Sequence, residues 1–470
     1  MADRQRILLI RPYQNSVTRC LMVPLGIMHV AAYLRGRGDV DVRIIDMAPA
    51  RMTYENLGQE IRTYRPDWLG ISALTFESDG LHRVAAIAKE LQPDLPVVAG
   101  GPHPTAYTNQ VMDDGNIDYV VIGEGELTAD DLNQALRTHS SVAAIDGLAW
   151  RENGSVRVNP HLRYIENLDA MPYPAWDLVD IPRYRKFDRM SRGSGSGDYM
   201  VLFTSRCCPF QCVYCHNIFG KGFRARSPEN VLAEIRTLHD KYGLREFEIV
   251  DDIFNCDLPR AKRIFDLITE SGMKIRFTFP NGIRGDYADE EFFFKARRAG
   301  AVFMAFAVET ASPRLQKVIR KNLNLEKINR NIALARKEGI LCLGFFMLGF
   351  PSETREELLT TINFAVRSQL HAAQFFIVNP YEGTELAKLA RKMGKPVFNN
   401  FDNNYLTAGF SNLTNLTDKE LNRIRRLGLI RFWLKPSRIW AILCDYPFKS
   451  QLPYLGIALI KRLLFNVYKG

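Results

Sequence analysis

Short apolar runs alternate with helix-period patterns over the first third of the chain. Arg6–Ile10 is followed by Gly26–Arg37 and Val42–Ile45, Trp68–Leu74 by Leu81–Leu91 and Val97–Ala99, and Tyr119–Ile122 by Thr128–Leu136. Continuous apolar runs separated by amphipathic stretches predict parallel strands buried on both faces and wrapped by helices. In such folds ligands collect at the loops that follow the strands. Those loops carry Ser72, Leu74 and Thr75, then Gly100, Gly101 and His103, then Gly123 and Glu124. The pattern sets an α/β, Rossmann-like domain at residues 1–140.

Residues 141–198 hold hairpin-like pieces at Gly147–Trp150 and Val156–Asn159, a Pro-rich stretch at Met171–Trp176, and alternating Gly and Ser over 193–197. They read as a linker ending in a flexible hinge. A second alternation begins at Tyr199, with strands expected at Met200–Thr204, Glu246–Val250, Lys274–Phe279, Val302–Val308, Leu341–Leu348 and Ala373–Val378, and helical patterns between them. Six such repeats predict a partial (β/α)6 barrel of TIM type over 199–400, with its active face at the strand C-termini. Residues 401–470 form a third, mainly helical segment, basic and aromatic in character.

A chain of 470 residues exceeds one ordinary core, in keeping with this division. The net charge is +10, of which +8 falls from Asp418 onward. The basic signal is therefore local, and nothing in that segment resembles a nucleic-acid recognition module, so nucleic acid is not favoured as a partner. Arg423–Lys435 and Ile457–Phe465 combine apolar and basic residues at helical spacing. Such helices lie at a membrane surface or cap a barrel with a solvated basic face, and both readings stay open. No run reaches the length of a membrane span, and the N-terminus lacks a secretory pattern. The expected location is cytoplasmic, with a peripheral position at the inner face of the membrane as the variant.

Four of the eight cysteines fall between Cys207 and Cys215, unlike a disulfide framework. Cys208-Pro-Phe-Gln-Cys212-Val-Tyr-Cys215 puts three thiolates on one loop directly after a predicted strand. Three cysteines leave the fourth iron of a [4Fe–4S] cubane open to a small chelating molecule. The alternative, a structural zinc site, requires a fourth Cys or His, for which His216 is the candidate.

With Ser205-Arg206-Cys207-Cys208-Pro-Phe ahead of it, the loop resembles that of the radical S-adenosylmethionine (SAM) superfamily, except that Cys207 stands where Gly is common. The resemblance implies that Cys208, Cys212 and Cys215 hold the cluster, that SAM chelates the open iron, and that reductive cleavage yields a 5′-deoxyadenosyl radical. It further implies SAM contacts from Asp251 and Asp252 at the second strand end, from Glu309 and Ser312 at the fourth, and from Gly349 in Gly344-Phe-Phe-Met-Leu-Gly349-Phe-Pro-Ser-Glu353. No catalytic side chain beyond the cluster ligands is assigned.

The first domain lacks G-x-G-x-x-G after its first strand, which disfavours a dinucleotide. Pro24-Leu-Gly26-Ile-Met-His29, Ser72-Ala-Leu74-Thr75, Gly100-Gly101-Pro-His103 and Gly123-Glu124-Gly-Glu126 resemble the cobalamin-binding domain that precedes many radical SAM cores. This implies cobalamin contacts from Ser72, Leu74, Thr75, Gly100, Gly101, His103, Gly123 and Glu124. The D-x-H-x-x-G stretch of other cobalamin domains is absent, which implies base-off binding without an axial His.

Together the resemblances imply methyl transfer from methylcobalamin to a carbon radical of a small-molecule or lipid-like substrate. An external donor such as flavodoxin or ferredoxin supplies the electron. Enzymes of the anaerobic porphyrin cyclase type share the architecture and supply the alternative, an oxidoreductase. A methylthiotransferase carries a second three-cysteine set near its N-terminus, whereas residues 1–206 hold only Cys20.

Overall fold

The computed structural model describes residues 4–13, 20–38, 40–191, 198–216, 218–220, 222–397, 412–454 and 456–457. The hinge expected at 193–197 and the helix expected beyond Ile457 lie outside the described residues. Two compact units form, one based on Met1–Phe187 and one beginning at Asp188.

The first unit runs β1 (Gln5–Arg11), α1 (Leu25–Gly36), β2 (Val40–Asp46), α2 (Tyr54–Tyr64), β3 (Trp68–Ser72), α3 (Ser78–Leu91), β4 (Val97–Gly100), β5 (Tyr119–Val121) and α4 (Gly125–Thr138). The strands lie parallel in the order β2-β1-β3-β4-β5, so the order reverses between β1 and β3. Leu8 and Ile10 pack into a core with Leu57, Ile61, Leu81 and Val84, and Ile7 and Leu9 into another with Ile27, Leu34 and Leu132. Burial on both faces explains the continuous apolar runs.

Helix α2 is an element that the hydrophobic pattern did not single out. Its buried stripe of Leu57, Gly58, Ile61 and Tyr64 is interrupted by a glycine. The stretch read as a linker begins with β6 (Leu148–Glu152) and β7 (Ser155–Val158), which add antiparallel to β5. They cover an edge that would otherwise present unpaired backbone, and they carry the first unit past residue 140 to Phe187.

The second unit runs β8 (Tyr199–Leu202), α5 (Pro228–Tyr242), β9 (Glu246–Ile249), α6 (Leu258–Glu270), β10 (Arg276–Ile283), α7 (Glu290–Arg298), β11 (Ala301–Glu309), α8 (Leu325–Lys337), β12 (Leu341–Leu348), α9 (Arg355–Arg367) and β13 (Ala372–Ile377). All six strands are parallel, in the order β13-β12-β11-β10-β9-β8. Ser227, Asp257, Asp289, Asn324 and Thr354 cap the helix starts by accepting from backbone N–H groups.

The two faces of this sheet differ. Phe277, Phe279, Phe306, Phe346 and Phe375 are fully buried, with Phe265 of α6 reaching Phe279 and Phe292 at centroid distances of 6.1 and 5.4 Å. Each such ring contributes about 2–3 kcal/mol through burial. On the opposite face Ala307, Phe345, Met347, Gln374 and Phe376 remain partly exposed. The end of this face nearest the strand N-termini holds a buried charge cluster. There Arg189 pairs with Glu246 and Glu248 and lies 4.5 Å above the Tyr199 ring.

After α10 (Glu385–Lys392) come α11 (Asp418–Trp433) and α12 (Pro436–Asp445). Helix α11 packs Leu421, Ile424, Leu429 and Phe432 inward against α9 and β13, so this part of the C-terminal segment caps the barrel. Among the described residues no helix is long and apolar enough to cross a membrane.

Candidate cluster and cofactor sites

Ser205–Arg206 and Arg224–Ala225 pair antiparallel and close the base of the cysteine loop. The carboxylate of buried Asp251 accepts from the Thr204 N–H (2.6 Å), Thr204 Oγ1 (2.5 Å) and Ser205 Oγ (2.6 Å). Buried Arg260 donates to the carbonyls of Arg226 (2.6 Å) and Thr204 (2.7 Å). Higher in the loop, Phe210 lies 3.8 Å from the Arg284 guanidinium. The Val213 N–H donates to Ile319 (3.1 Å), and its carbonyl accepts from Leu386 (2.8 Å).

Cys207 enters the loop at φ +69°, in the left-handed region that glycine adopts at least cost. Its buried thiol donates to the Cys208 carbonyl at 3.5 Å. Cys212 and Cys215 share a hydrogen bond, and that bond, with the Lys321 ammonium and Tyr214, draws the Cys212 thiol down to about 6. Cys215 shifts upward through the same bond and burial, and burial pushes Cys208 up to about 11. Among the described residues no three Cys, His, Asp or Glu side chains gather round one metal-ion position. The ligands of a cubane each meet a different iron, so three thiols strung along one loop fit that group.

Lys321 is the cation closest in effect to this loop, and no motif announced it. Its Nζ lies 3.0 Å from Glu309 Oε1 and 3.3 Å from the Tyr214 hydroxyl, and the residue is buried. The flanking Arg320 and Asn322 both have left-handed backbones, at φ +55° and +51°, each at a cost of about 1–3 kcal/mol. Arg284 holds this turn by donating to the carbonyls of Lys321 (2.9 Å) and Asn322 (3.3 Å), while its Nε pairs with Asp286 at 3.1 Å. One guanidinium thus fixes both Phe210 and the Lys321 turn.

Asp252 and Glu309 both act electrostatically on the cysteines, and Asp252 accepts from the Cys207 N–H. Asp251 and Ser312 stand elsewhere. Asp251 is consumed by Thr204 and Ser205, as described. Ser312 caps the turn at Leu315 (3.2 Å) and donates to Glu357 (2.6 Å). Gly349 has φ +99°, and its N–H and that of Phe350 donate to buried Glu353 Oε2 at 2.6 and 3.0 Å. Burial raises Glu353 to about 8.

In the first unit Ser72 and Gly100 end adjacent strands in register. Gly101 (φ +91°) could not carry a side chain, since a Cβ would fall 2.7 Å from Ser72 Oγ and 3.2 Å from the Ala73 nitrogen. Leu74 and Thr75 follow β3 at the reversal of strand order. There Glu77 accepts from the Leu74 N–H (2.8 Å) and pairs with Arg11 of β1 (2.8 Å). The Gly123 N–H donates to Thr105 Oγ1 at 3.0 Å. His103 is turned inward, stacked on Tyr107 at 4.9 Å, and lowered to about 4 by burial. Glu124 is likewise buried.

Residues 17–133 match the B12 binding domain model and residues 202–365 that of the radical SAM superfamily. An uncharacterised methyltransferase of Pyrococcus horikoshii is 34% identical over 92% of this chain and 93% of its own length. Cytidylyl-2-hydroxyethylphosphonate methyltransferase of Streptomyces wedmorensis is 28% identical, covering 83% of this chain and 82% of its own. An anaerobic magnesium-protoporphyrin IX monomethyl ester cyclase of Rubrivivax gelatinosus is 25% identical over 77% of this chain and 65% of its own. Among solved structures, the cobalamin-dependent SAM radical enzyme OxsB with aqua-cobalamin bound superposes with TM-score 0.75 at 16% identity, covering all of this chain and 74% of that one. The radical SAM methyltransferase TsrM of Kitasatospora setae, with cobalamin and a [4Fe–4S] cluster, gives 0.69 at 19% identity over 83% and 75%. The chain belongs to the cobalamin-binding radical SAM enzymes, and a [4Fe–4S] cluster, SAM and cobalamin are the cofactors of that architecture.

Proposed function

We infer that the protein is a cobalamin-dependent radical SAM methyltransferase acting on carbon. When bound, the cluster supplies reductive cleavage of SAM to a 5′-deoxyadenosyl radical, and methylcobalamin supplies the methyl group. Cys208, Cys212 and Cys215 hold the cluster. Lys321, buried beside Tyr214 of that loop and paired with Glu309, is the cation that would meet the carboxylate of SAM. Glu309 and Asp252 are acceptors for the hydroxyl and ammonium groups of SAM, and Asp251 and Ser312 keep the loop and turn in place. Gly349 offers close backbone approach for the adenine.

Ser72, Leu74, Thr75, Gly100, Gly101 and Gly123 receive the corrinoid, with His103 and Glu124 supporting from within. Buried His103 and the lack of a D-x-H-x-x-G stretch would leave cobalamin without a histidine ligand, and base-off binding is what the family resemblance implies. Phe345, Phe376 and Met347 give the substrate an apolar seat, which favours a lipid-like or aromatic reacting group. Flavodoxin or ferredoxin delivers the electron, and the C-terminal segment makes peripheral contact with a membrane.

The observation that carries this reading is the whole-length similarity to a methyltransferase, joined to a three-thiol loop at the C-terminal edge of a six-stranded parallel sheet. The test is anaerobic reconstitution with iron, sulfide and cobalamin. The cluster and corrin spectra, release of 5′-deoxyadenosine and product mass are then followed. A gain of one methylene supports methyl transfer. Loss of hydrogens alone moves the protein to the cyclase reading, which the Rubrivivax relative favours.

A further inference from the structure

Large exposed apolar side chains are concentrated at the C-terminal end of the described chain. Trp440 is 69% exposed and Leu434 61%, and Ile439, Leu443, Tyr454 and Ile457 join them. Positions 436, 439, 440 and 443 recur at intervals of three and four, so Pro436, Ile439, Trp440 and Leu443 share the outer face of α12.

The opposite face is anchored. Arg438 donates to the carbonyls of Ala365 (3.3 Å), Val366 (3.0 Å) and Ser368 (3.2 Å) and lies 4.0 Å from the Phe432 ring. Asp445 accepts from Arg336 (2.9 Å) and pairs with His371 (3.0 Å). With both ends of α12 tied to the barrel, its apolar side is held outward as a fixed surface. Burying it against the protein would require breaking these bonds.

Charge decides what covers it. Lys435 at the start of α12 donates to the Val366 carbonyl at 2.9 Å on the barrel side, and exposed Lys449 beyond its end donates to the Leu443 and Cys444 carbonyls beside the apolar face. After Asp445 the sequence contains four Lys/Arg and no Asp or Glu. An indole and aliphatic groups followed in the chain by Lys449 and further basic residues match an interface whose apolar layer lies under anionic headgroups.

We propose that the outer face of α12 seats in the surface of an anionic lipid bilayer, with Trp440 and Leu443 entering the acyl boundary. This rests on the membrane-contact reading above and is separable from the radical chemistry, since SAM cleavage in lipid-free buffer does not depend on it.

The test uses the full-length holoprotein with sedimenting vesicles of phosphatidylcholine, alone or with a quarter phosphatidylglycerol. Binding is expected only with the anionic lipid and should weaken as salt rises. Trp440→Ser combined with Leu443→Ser should lower the partition coefficient by about tenfold or more. Its melting midpoint and 5′-deoxyadenosine release should stay unchanged. The proposal is overturned if the wild type fails to bind anionic vesicles, or if the double variant binds equally well. It is equally overturned if the substitutions abolish a concentration-dependent dimer in buffer, which would assign the face to a second copy of the chain.

Discussion

Glu353 offers the sharpest test of the proposed SAM contact at Gly349. Its Oε2 accepts from the Gly349 and Phe350 N–H groups. Glu353→Ala leaves both donors buried without an acceptor, at about 1–3 kcal/mol each, or about 2–6 kcal/mol in all. Glu353→Gln keeps a carbonyl oxygen in place and should retain the turn. The two replacements also separate in their pH response. Burial raises Glu353 from 4.5 to about 8, so the folded state holds a proton that the unfolded chain releases. The wild type therefore loses stability as pH climbs from about 4.5 through about 8, with a ceiling of about 5 kcal/mol. The amide has no such loss. Thermal unfolding at pH 6 and pH 9, with SAM titrated calorimetrically into reconstituted enzyme, reads both effects. Glu353→Gln should melt above the wild type by a margin that widens from about 2 kcal/mol at pH 6 to about 5 kcal/mol at pH 9. Glu353→Ala should melt below Glu353→Gln at both pH values and bind SAM at least tenfold more weakly. Equal losses in the two variants, or a wild type and Glu353→Gln that move together with pH, refute the reasoning.

Arg284→Met should cost about 3–5 kcal/mol because it strands buried Asp286, and it should shorten cluster lifetime in air, followed by absorbance. Arg284→Lys should not restore that lifetime, since one ammonium cannot serve Phe210 and two carbonyls together. Cys207→Gly should keep iron content and melt within about 1 kcal/mol of the wild type, relief of the left-handed backbone offsetting the lost thiol. Each of Cys208→Ala, Cys212→Ala and Cys215→Ala should lose the cluster, measured as iron per chain. Gly101→Ala should lower cobalamin retention on gel filtration by tenfold or more, as its Cβ meets Ser72. The electron paramagnetic resonance spectrum of the bound cob(II)alamin should lack nitrogen superhyperfine splitting, and a triplet would show an axial nitrogen from a histidine or from the cofactor's own base, refuting base-off binding without histidine.

The strands of both sheets were legible because each is an apolar run bounded by polar turns, and the three-cysteine loop after β8 stood out because its thiols fall within eight residues. Helix α2 was hidden by Gly58 within its stripe, while β6 and β7 were readable as hairpin pieces but not as an antiparallel extension of the first sheet at β5. Lys321 and Arg284 were invisible for a related reason. Each is one basic residue among many, and only the fold brings it to Tyr214 or Phe210. Asp251 shows the opposite limit. Its position after a strand was readable, but a carboxylate facing SAM and one tying down Thr204 look alike in a sequence.

The short Ser205–Arg206 and Arg224–Ala225 pairing bears on how the loop behaves without iron. Asp251, Arg260 and the paired backbone tie down the base of the cysteine loop through oxygen and nitrogen atoms. The base of the loop thus has a frame of its own apart from any metal, and the chain stripped of iron should resist proteolysis between Ser205 and Ala225 as well as the reconstituted protein does.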